Sequence, residues 1–500
     1  MTKREKSEKL FDAITGINEE IIEGAEAPAS RAVPKAAKIR WFAAAAAALA
    51  LVIAIGAVIT PSGKPAANKP ADGNTDEPLP FAVVQAEYPK MAPYPDETQY
   101  IGADGIFDSE GFDAVYSAWR EGIDARQREK GYADGLEGFF VRSAQTVLSG
   151  SDAENRMYSP LSLYMALSML AETAGGESRQ QILDLLGCGD IGSLRAQASD
   201  VWNATYRDDG AVTSVLANSV WMRDGMTYDN ETLDRLAVTY YASAFSGPMG
   251  SPEYDNALRR WLNEQTGGLL EQQVQGVKFD PETVLALASA VYFRSKWSTE
   301  YNPNATEDGI FHGASVDSEA RFMPRSDTAD YYWDDSFAAI YQSLESGGRM
   351  WFILPDEGTT PEKVLSEGRF LSLASGASGW AGHKRLLVNS RLPKFDVTSS
   401  AELSGSLGLM GVTDVFDAAL ADFSPVMPGA DGVFLSSVRH DVRVAIDEEG
   451  VIAAAYTVMQ TCGAAMPPDE QVDFVVDRPF IFVITSPDGL PLFVGIVNNI

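Results

Sequence analysis

The chain has 500 residues, 45% of them hydrophobic, and a formal net charge of -31. That apolar content supports a large core, while the acidic excess repels phosphate backbones and argues against nucleic acid as a partner. Two cysteines, Cys188 and Cys462, are too few for a disulfide framework; with no H-E-x-x-H, C-x-x-C, Walker loop or G-x-G-x-x-G, no metal, redox or nucleotide cofactor is expected.

Residues 1–24 carry Leu10, Phe11, Ile14, Ile17, Ile21 and Ile22 at helical spacing among charges, the pattern of a short amphipathic helix. Trp41 to Ile59 is uncharged, rich in Ala, Leu, Ile and Val, and long enough to cross a bilayer as a helix. Arg31, Lys35, Lys38 and Arg40 precede it, whereas Asp72, Asp76 and Glu77 follow, an asymmetry that keeps the N-terminus cytoplasmic. A cleaved signal peptide is the competing reading, although the 40 residues before the apolar run are long for a signal's basic leader. Residues 1–40 are thus read as a cytoplasmic tail and 41–60 as an uncleaved transmembrane signal anchor of a cell-membrane protein whose bulk is extracytoplasmic. Residues 61–95, rich in Pro, Ala, Gly, Asn and Asp, are read as a flexible linker, able to hold the next domain on the order of 100 Å from the membrane. Residues 96–135 form an acidic, aromatic-bearing extension of unassigned role, in which Phe112–Gln127 suits a helix.

Helical periodicity follows in Leu161–Glu172 and Ser178–Leu186, where Gly187 supplies a stop. Strand patterns occupy Val215–Met222, Val284–Phe293, Met350–Leu354, Arg385–Leu392, Arg443–Ile446, Ile481–Thr485 and Leu492–Val497, with Pro487-Asp488-Gly489 as a hairpin turn. Helices first and strands later suit an α+β domain. Between the last groups of strands lies Glu448-Glu449-Gly450-Val451-Ile452-Ala453-Ala454-Ala455-Tyr456-Thr457. As a strand it would put Val451, Ala453, Ala455 and Thr457 on one face, small enough for a crowded interior, and Ile452, Ala454 and Tyr456 on the other. The stretch Val458–Glu470, with Gly463, Pro467 and Pro468, reads as an exposed loop. A loop whose first half can become a buried strand implies a switch.

Several motifs fall in one family order. They are Ser159-Pro160-Leu161-Ser162, Asn218-Ser219-Val220-Trp221, Ala290-Val291-Tyr292-Phe293 with Trp297, Phe352-Ile353-Leu354-Pro355 and Leu392-Pro393-Lys394-Phe395. Gly411-Val412-Thr413-Asp414-Val415-Phe416, Ala421-Asp422-Phe423-Ser424, Leu435-Ser436-Ser437-Val438-Arg439-His440 and Phe474-Val475-Val476-Asp477-Arg478-Pro479-Phe480 complete the set. Together they resemble the serpins, the serine protease inhibitor superfamily, over roughly Gly138 to Ile500, and point to a bacterial, membrane-anchored member with its serpin domain at 136–500.

The resemblance implies a serpin fold of three β-sheets and eight or nine helices with an exposed reactive-centre loop. It implies an inhibitor and not an enzyme: a serine protease cleaves the loop, the hinge inserts into the central sheet, and the acyl-enzyme is trapped. The hinge would comprise Glu448, Glu449, Gly450, Val451, Ala453, Ala454, Ala455 and Thr457. Counting from Gly450 as the family does puts the reactive bond at Ala464-Ala465, with Met466 or a bond one residue either side left open. Small residues there suit elastase-like or subtilisin-like targets, and Val451–Ala465 contains no Arg or Lys for a trypsin-like one. Ser159, Ser162 and His440 match the family's buried hydrogen-bonding cluster beneath the sheet, with Ser289 where an Asn is expected. A hydroxyl reaches less far and offers one proton, so the cluster must be rewired or include a water. Trp297 reads as an aromatic lid over the upper sheet, or as an ordinary core Trp. A non-inhibitory serpin acting as a cell-surface binding module is the alternative; charged or Pro residues at inward hinge positions would favour it, and there are none.

Overall fold

The computed structural model describes residues 80–500 apart from 103–104, 151–152, 269–270, 272, 377, 431, 436–437 and 452–469. The cytoplasmic tail, the span at 41–60 and the linker as far as residue 79 lie outside the described residues. So do Ala453, Ala454, Ala455 and Thr457 of the hinge, Cys462, and the Ala464-Ala465 bond. Among the described residues no helix is long and apolar enough to cross a membrane.

The strands form two hydrogen-bonded sheets. The first runs β1 (Ala82–Val84), β5 (Ala242–Gly247), β4 (Thr213–Arg223), β6 (Leu285–Lys296), β14 (Gly450–Val451), β13 (Arg439–Ile446) and β12 (Phe395–Glu402), with β3 (Arg207–Asp208) beside β4. The second runs β15 (Gln471–Val475), β11 (His383–Pro393), β8 (Asp317–Trp333), β9 (Phe337–Ser343), β10 (Arg349–Pro355), β16 (Phe480–Thr485), β17 (Pro491–Val497) and β2 (Arg156–Tyr158), with β7 (Glu307–His312) beside β8. Its two halves barely join, because β8 pairs with β11 along most of its length and meets β9 only at Tyr332 and Trp333. Taken as separate sheets, those halves and the first sheet make the three expected. Ten α-helices occur among the described residues, nine of them after residue 135.

The core explains why the elements lie where the patterns placed them. In the helix α3 (Pro160–Thr173), preceded by α1 (Ser109–Asp124) and α2 (Leu136–Val147), every residue but Ala166 is buried. A helix apolar all round belongs inside a layered domain, and α3 lies against β6 and β17. Its start is fixed by Ser159, whose side chain accepts from the Ser162 N–H, and by Pro160 in the first turn. At its far end Glu172 is 1% exposed. Arg195, on α5 (Ile191–Thr205) beyond α4 (Gly176–Leu186), donates to it at 2.7 and 2.6 Å, and Arg235 of α6 (Asn230–Tyr240) at 2.7 Å. Burial pushes this carboxyl up, but the two guanidiniums outweigh it and hold it below the usual range.

One expectation for the N-terminal part is corrected, and the unassigned extension is placed. The linker does not extend to residue 95: Ala82 and Val84 pair with Phe245 and Ala244 at the sheet edge, and the Tyr88 ring meets Trp202, Tyr206 and Tyr241. The apolar run Phe81-Ala82-Val83-Val84 is short and flanked by prolines, so a composition average conceals it. The extension at 96–135 is likewise integrated into the fold. Trp119 of α1 is buried and donates from Nε1 to Asp209 Oδ2 at 3.2 Å, the Tyr94 N–H donates to the Asp209 carbonyl at 2.7 Å, and the Tyr132 hydroxyl donates to Asp488 at 2.9 Å.

Candidate functional site: the hinge and the sheet seam

The described start of the hinge is seated in the central sheet. Gly450 pairs with Lys296 and Val451 with Ser295 on β6, while Val451 also faces Ile446 on β13. Val451 is 1% exposed. A Cβ on Gly450 would come within 2.4 Å of the Ser295 carbonyl oxygen and 2.6 Å of Lys296 Cα, so a glycine permits this approach of two backbones. Trp297 closes the turn above: its N–H donates to the Glu449 carbonyl at 3.0 Å and its Nε1 to the Asp447 carbonyl at 2.8 Å. Its ring is buried, and these two bonds tie it to the turn at 447–449.

The acidic pair ahead of the glycine divides in environment. Glu448 is buried, accepts from Lys394 Nζ at 2.6 Å and Thr306 Oγ1 at 2.7 Å, and its carbonyl accepts from the Tyr301 N–H at 2.8 Å. Burial raises its pKa, but the Lys394 and Thr306 contacts prevail and hold it below the usual range. Glu449 goes the other way, pushed up by burial and by the neighbouring Asp447, with Lys296 opposing.

Further along the seam, the predicted cluster divides into two linked pairs. The Ser159 N–H donates to His440 Nε2 at 2.9 Å, and the Ser162 and Ser289 hydroxyls lie 2.8 Å apart. The Ser159 hydroxyl joins them by accepting from the Ser162 N–H at 3.2 Å. Ser289 Oγ donates its single proton to Asn218 Oδ1 at 2.9 Å, so Ser162 must be the donor in the serine pair. Asn218, fully buried, passes the chain on by donating to the Tyr240 carbonyl at 2.9 Å. The rewiring thus runs through an asparagine one strand away, the register partner of Ser289. His440, accepting at Nε2, is the neutral Nδ1–H tautomer. Burial pushes its pKa down to about 4, against the pull of Asp441. Between β6 and β13 lies a cavity of about 30 Å³ that reaches Ser162, Ser289 and His440, and among the described residues no ladder pairs β6 directly with β13.

The family model described as "Serpin (serine protease inhibitor)" matches residues 135–500. This chain belongs to the serpin family. Its general function is therefore that of a serine protease inhibitor and not of a catalyst. Serpin-Z2B of Triticum aestivum is 29% identical over 384 residues, covering 72% of this chain and 94% of that protein. Putative serpin-Z12 of Oryza sativa subsp. japonica is 30% identical over 385 residues, covering 70% and 86%. Among solved structures, the native state of the thermophilic serpin tengpin matches with a TM-score of 0.67 and 24% identity, over 75% of this chain and 95% of that one.

In this serpin the loop's two described ends attach to different sheets. β14 ends at Val451 in the central sheet, and the chain is described again at Glu470, just before β15 pairs in parallel with β11 as the edge strand of the second sheet. Three partners of the site escaped the sequence reading: Asn218, Lys394 and Thr306. Asn218 and Lys394 both sat inside quoted motifs: Lys394 at the junction of β11 and β12, and Asn218 as a polar residue in a buried strand, a signal for burial with a partner. Thr306 gave none. Cys188 lies just after the C-cap Gly187, half-buried, with its Sγ 3.5 Å from Gln197 Oε1.

Proposed function

We propose that this serpin traps elastase-like or subtilisin-like serine proteases by inserting its cleaved reactive loop along the seam between β6 and β13. The observation that supports this best is β14 itself. Two hinge residues already occupy the central sheet, and the seam continues past them as an unladdered gap lined by Ser289 and His440. Strand addition needs small or apolar inward side chains, because a buried charge costs several kcal/mol. Val451 meets that need in the structure, and Ala453 and Ala455 meet it in the sequence. The reading places cleavage at Ala464-Ala465. It also places the domain outside the cell, tethered to the membrane by the segment 41–60.

The test is to incubate the purified full chain with pancreatic elastase and, separately, subtilisin. The expected result is a complex that survives boiling in detergent, together with loop cleavage after Ala464 and a rise in the melting temperature of the cleaved protein. Cleavage with no adduct and no gain in thermal stability would refute trapping and leave the binding-module alternative.

A further inference from the structure

A cavity of about 190 Å³ lies between the N-terminal extension and the body of the domain. Met91, Ile123 and Arg126 line it from one side of the sequence, Tyr206 and Arg207 from the end of α5 onward, and Phe293 and Leu492 from β6 and β17. The first three precede residue 135, where the family match begins. The chamber is therefore built in part by a segment that the family resemblance leaves unexplained.

Arg126, Arg207 and Asp488 are its charged lining residues. Asp488 is engaged by the Tyr132 hydroxyl at 2.9 Å. Arg207 binds Asp209 through Nε at 2.7 Å, but its Nη1 reaches the Glu345 and Ser346 carbonyls only at 3.5 and 3.4 Å. Arg126 donates to the Lys90 carbonyl at 3.2 Å and has no carboxylate within ion-pair distance among the described residues. Half-buried guanidinium donors at one side of a chamber whose lining is part polar and part apolar, with Ile123, Phe293 and Leu492 on the apolar part, fit an anionic head with an apolar body. A dry cavity of about 150 Å³ accommodates benzene, so this one suits a single ring, or a short acyl chain, carrying a carboxylate.

We propose that the chamber binds a small amphipathic carboxylate, its carboxyl group held by Arg126 and Arg207 and its apolar part packed against Phe293 and Leu492. Phe293 lies on β6, three residues before Lys296, which pairs with hinge Gly450. The ligand would thus join the extension to the strand that borders the seam.

The probe is phenylacetate, titrated calorimetrically into the full chain, with phenylacetamide as the uncharged isostere and octanoate as the acyl alternative. A ligand of this size reaches a Kd of roughly 0.1–1 mM. The expected result is saturable one-to-one binding of phenylacetate or octanoate, at least tenfold weaker binding of phenylacetamide, and a comparable loss in Arg126→Gln. Ala204→Phe fills the chamber from α5 and should abolish binding. If its melting temperature shows that it has not folded, Ile123→Trp fills the same space from the extension. No saturable binding of either acid, equal affinity for the amide, or binding unchanged in a folded filling variant would overturn the proposal.

Discussion

Replacing Gly450 by Ala should expel β14 from the central sheet. The new Cβ would sit 2.4 Å from the Ser295 carbonyl oxygen, 2.6 Å from Lys296 Cα and 3.1 Å from Lys296 C. All three atoms belong to the backbone of β6. Just past the β4 ladder Ser295 and Lys296 are held by the Glu345 N–H, which donates to the Lys296 carbonyl at 2.9 Å, and the Ser346 N–H, which donates to Ser295 Oγ at 3.0 Å, so they have little freedom to retreat. Overpacking of this kind costs about 1–3 kcal/mol. The insertion it opposes is worth less. Burying Val451 contributes about 2 kcal/mol, and two hydrogen bonds contribute about 2 kcal/mol together. Fixing two residues costs about 3 kcal/mol, leaving a net of about 1 kcal/mol. A swing of that size alters local opening about fivefold. Hydrogen exchange reads it directly: the Trp297 amide, which donates to the Glu449 carbonyl, should lose about fivefold protection. The Tyr301 amide should change less, because Glu448 stays tied to Lys394 and Thr306. Unchanged protection at Trp297 in Gly450→Ala would refute the reasoning.

Two further outcomes follow from the lower seam. Asn218→Ala strands the Ser289 proton and the Tyr240 carbonyl without partners in a buried site, so chemical denaturation should show a loss of about 2–3 kcal/mol, with Ser289→Ala in the same background adding little. His440 has a folded pKa near 4 against an ordinary 6.5, so the unfolded chain binds the extra proton first. The stability it contributes is complete above pH 6.5 and falls away as the pH drops toward 4, by about 3 kcal/mol for a shift of this size. Unfolding curves of His440→Gln should lack that component, and a variant with the same pH profile as the parent would contradict it.

How far the site could be read beforehand depended on the range of each interaction. Local patterns were legible: the stop at Gly187 and the turn at Gly489 each rest on a few consecutive residues. The strand β4 was legible too, from the apolar groups on either side of Asn218 and Ser219, because both faces of a central strand are covered. Pairings across long stretches of sequence were not. Nothing near Ser289 announces that its proton goes to Asn218 rather than to a water, since strand register brings them together. The Lys394–Glu448 ion pair was hidden for the same reason. The extension stayed unassigned for a related reason: Phe112, Tyr116 and Trp119 meet along one face of α1, but the buried acceptor for Trp119 is Asp209, on the turn after β3.

The two ends of the seam respond to acid through different groups, and the signs do not all agree. Glu448 is held below its ordinary pKa, so the contact with Lys394 and Thr306 is lost as the pH falls through its folded value. His440 acts in the same direction, because a proton on Nε2 removes the acceptor for the Ser159 N–H. Glu449 opposes both: its raised pKa means that neutral pH leaves a charge where burial and Asp447 disfavour one, and acid relieves it. The upper seam, carrying Glu448 and Glu449 side by side, is thus partly compensated, whereas at the lower seam the loss of the His440 acceptor acts in one direction. Acid should therefore loosen the sheet first around Ser159 and His440, where a full inserted strand must pass, while Gly450 and Val451 remain seated.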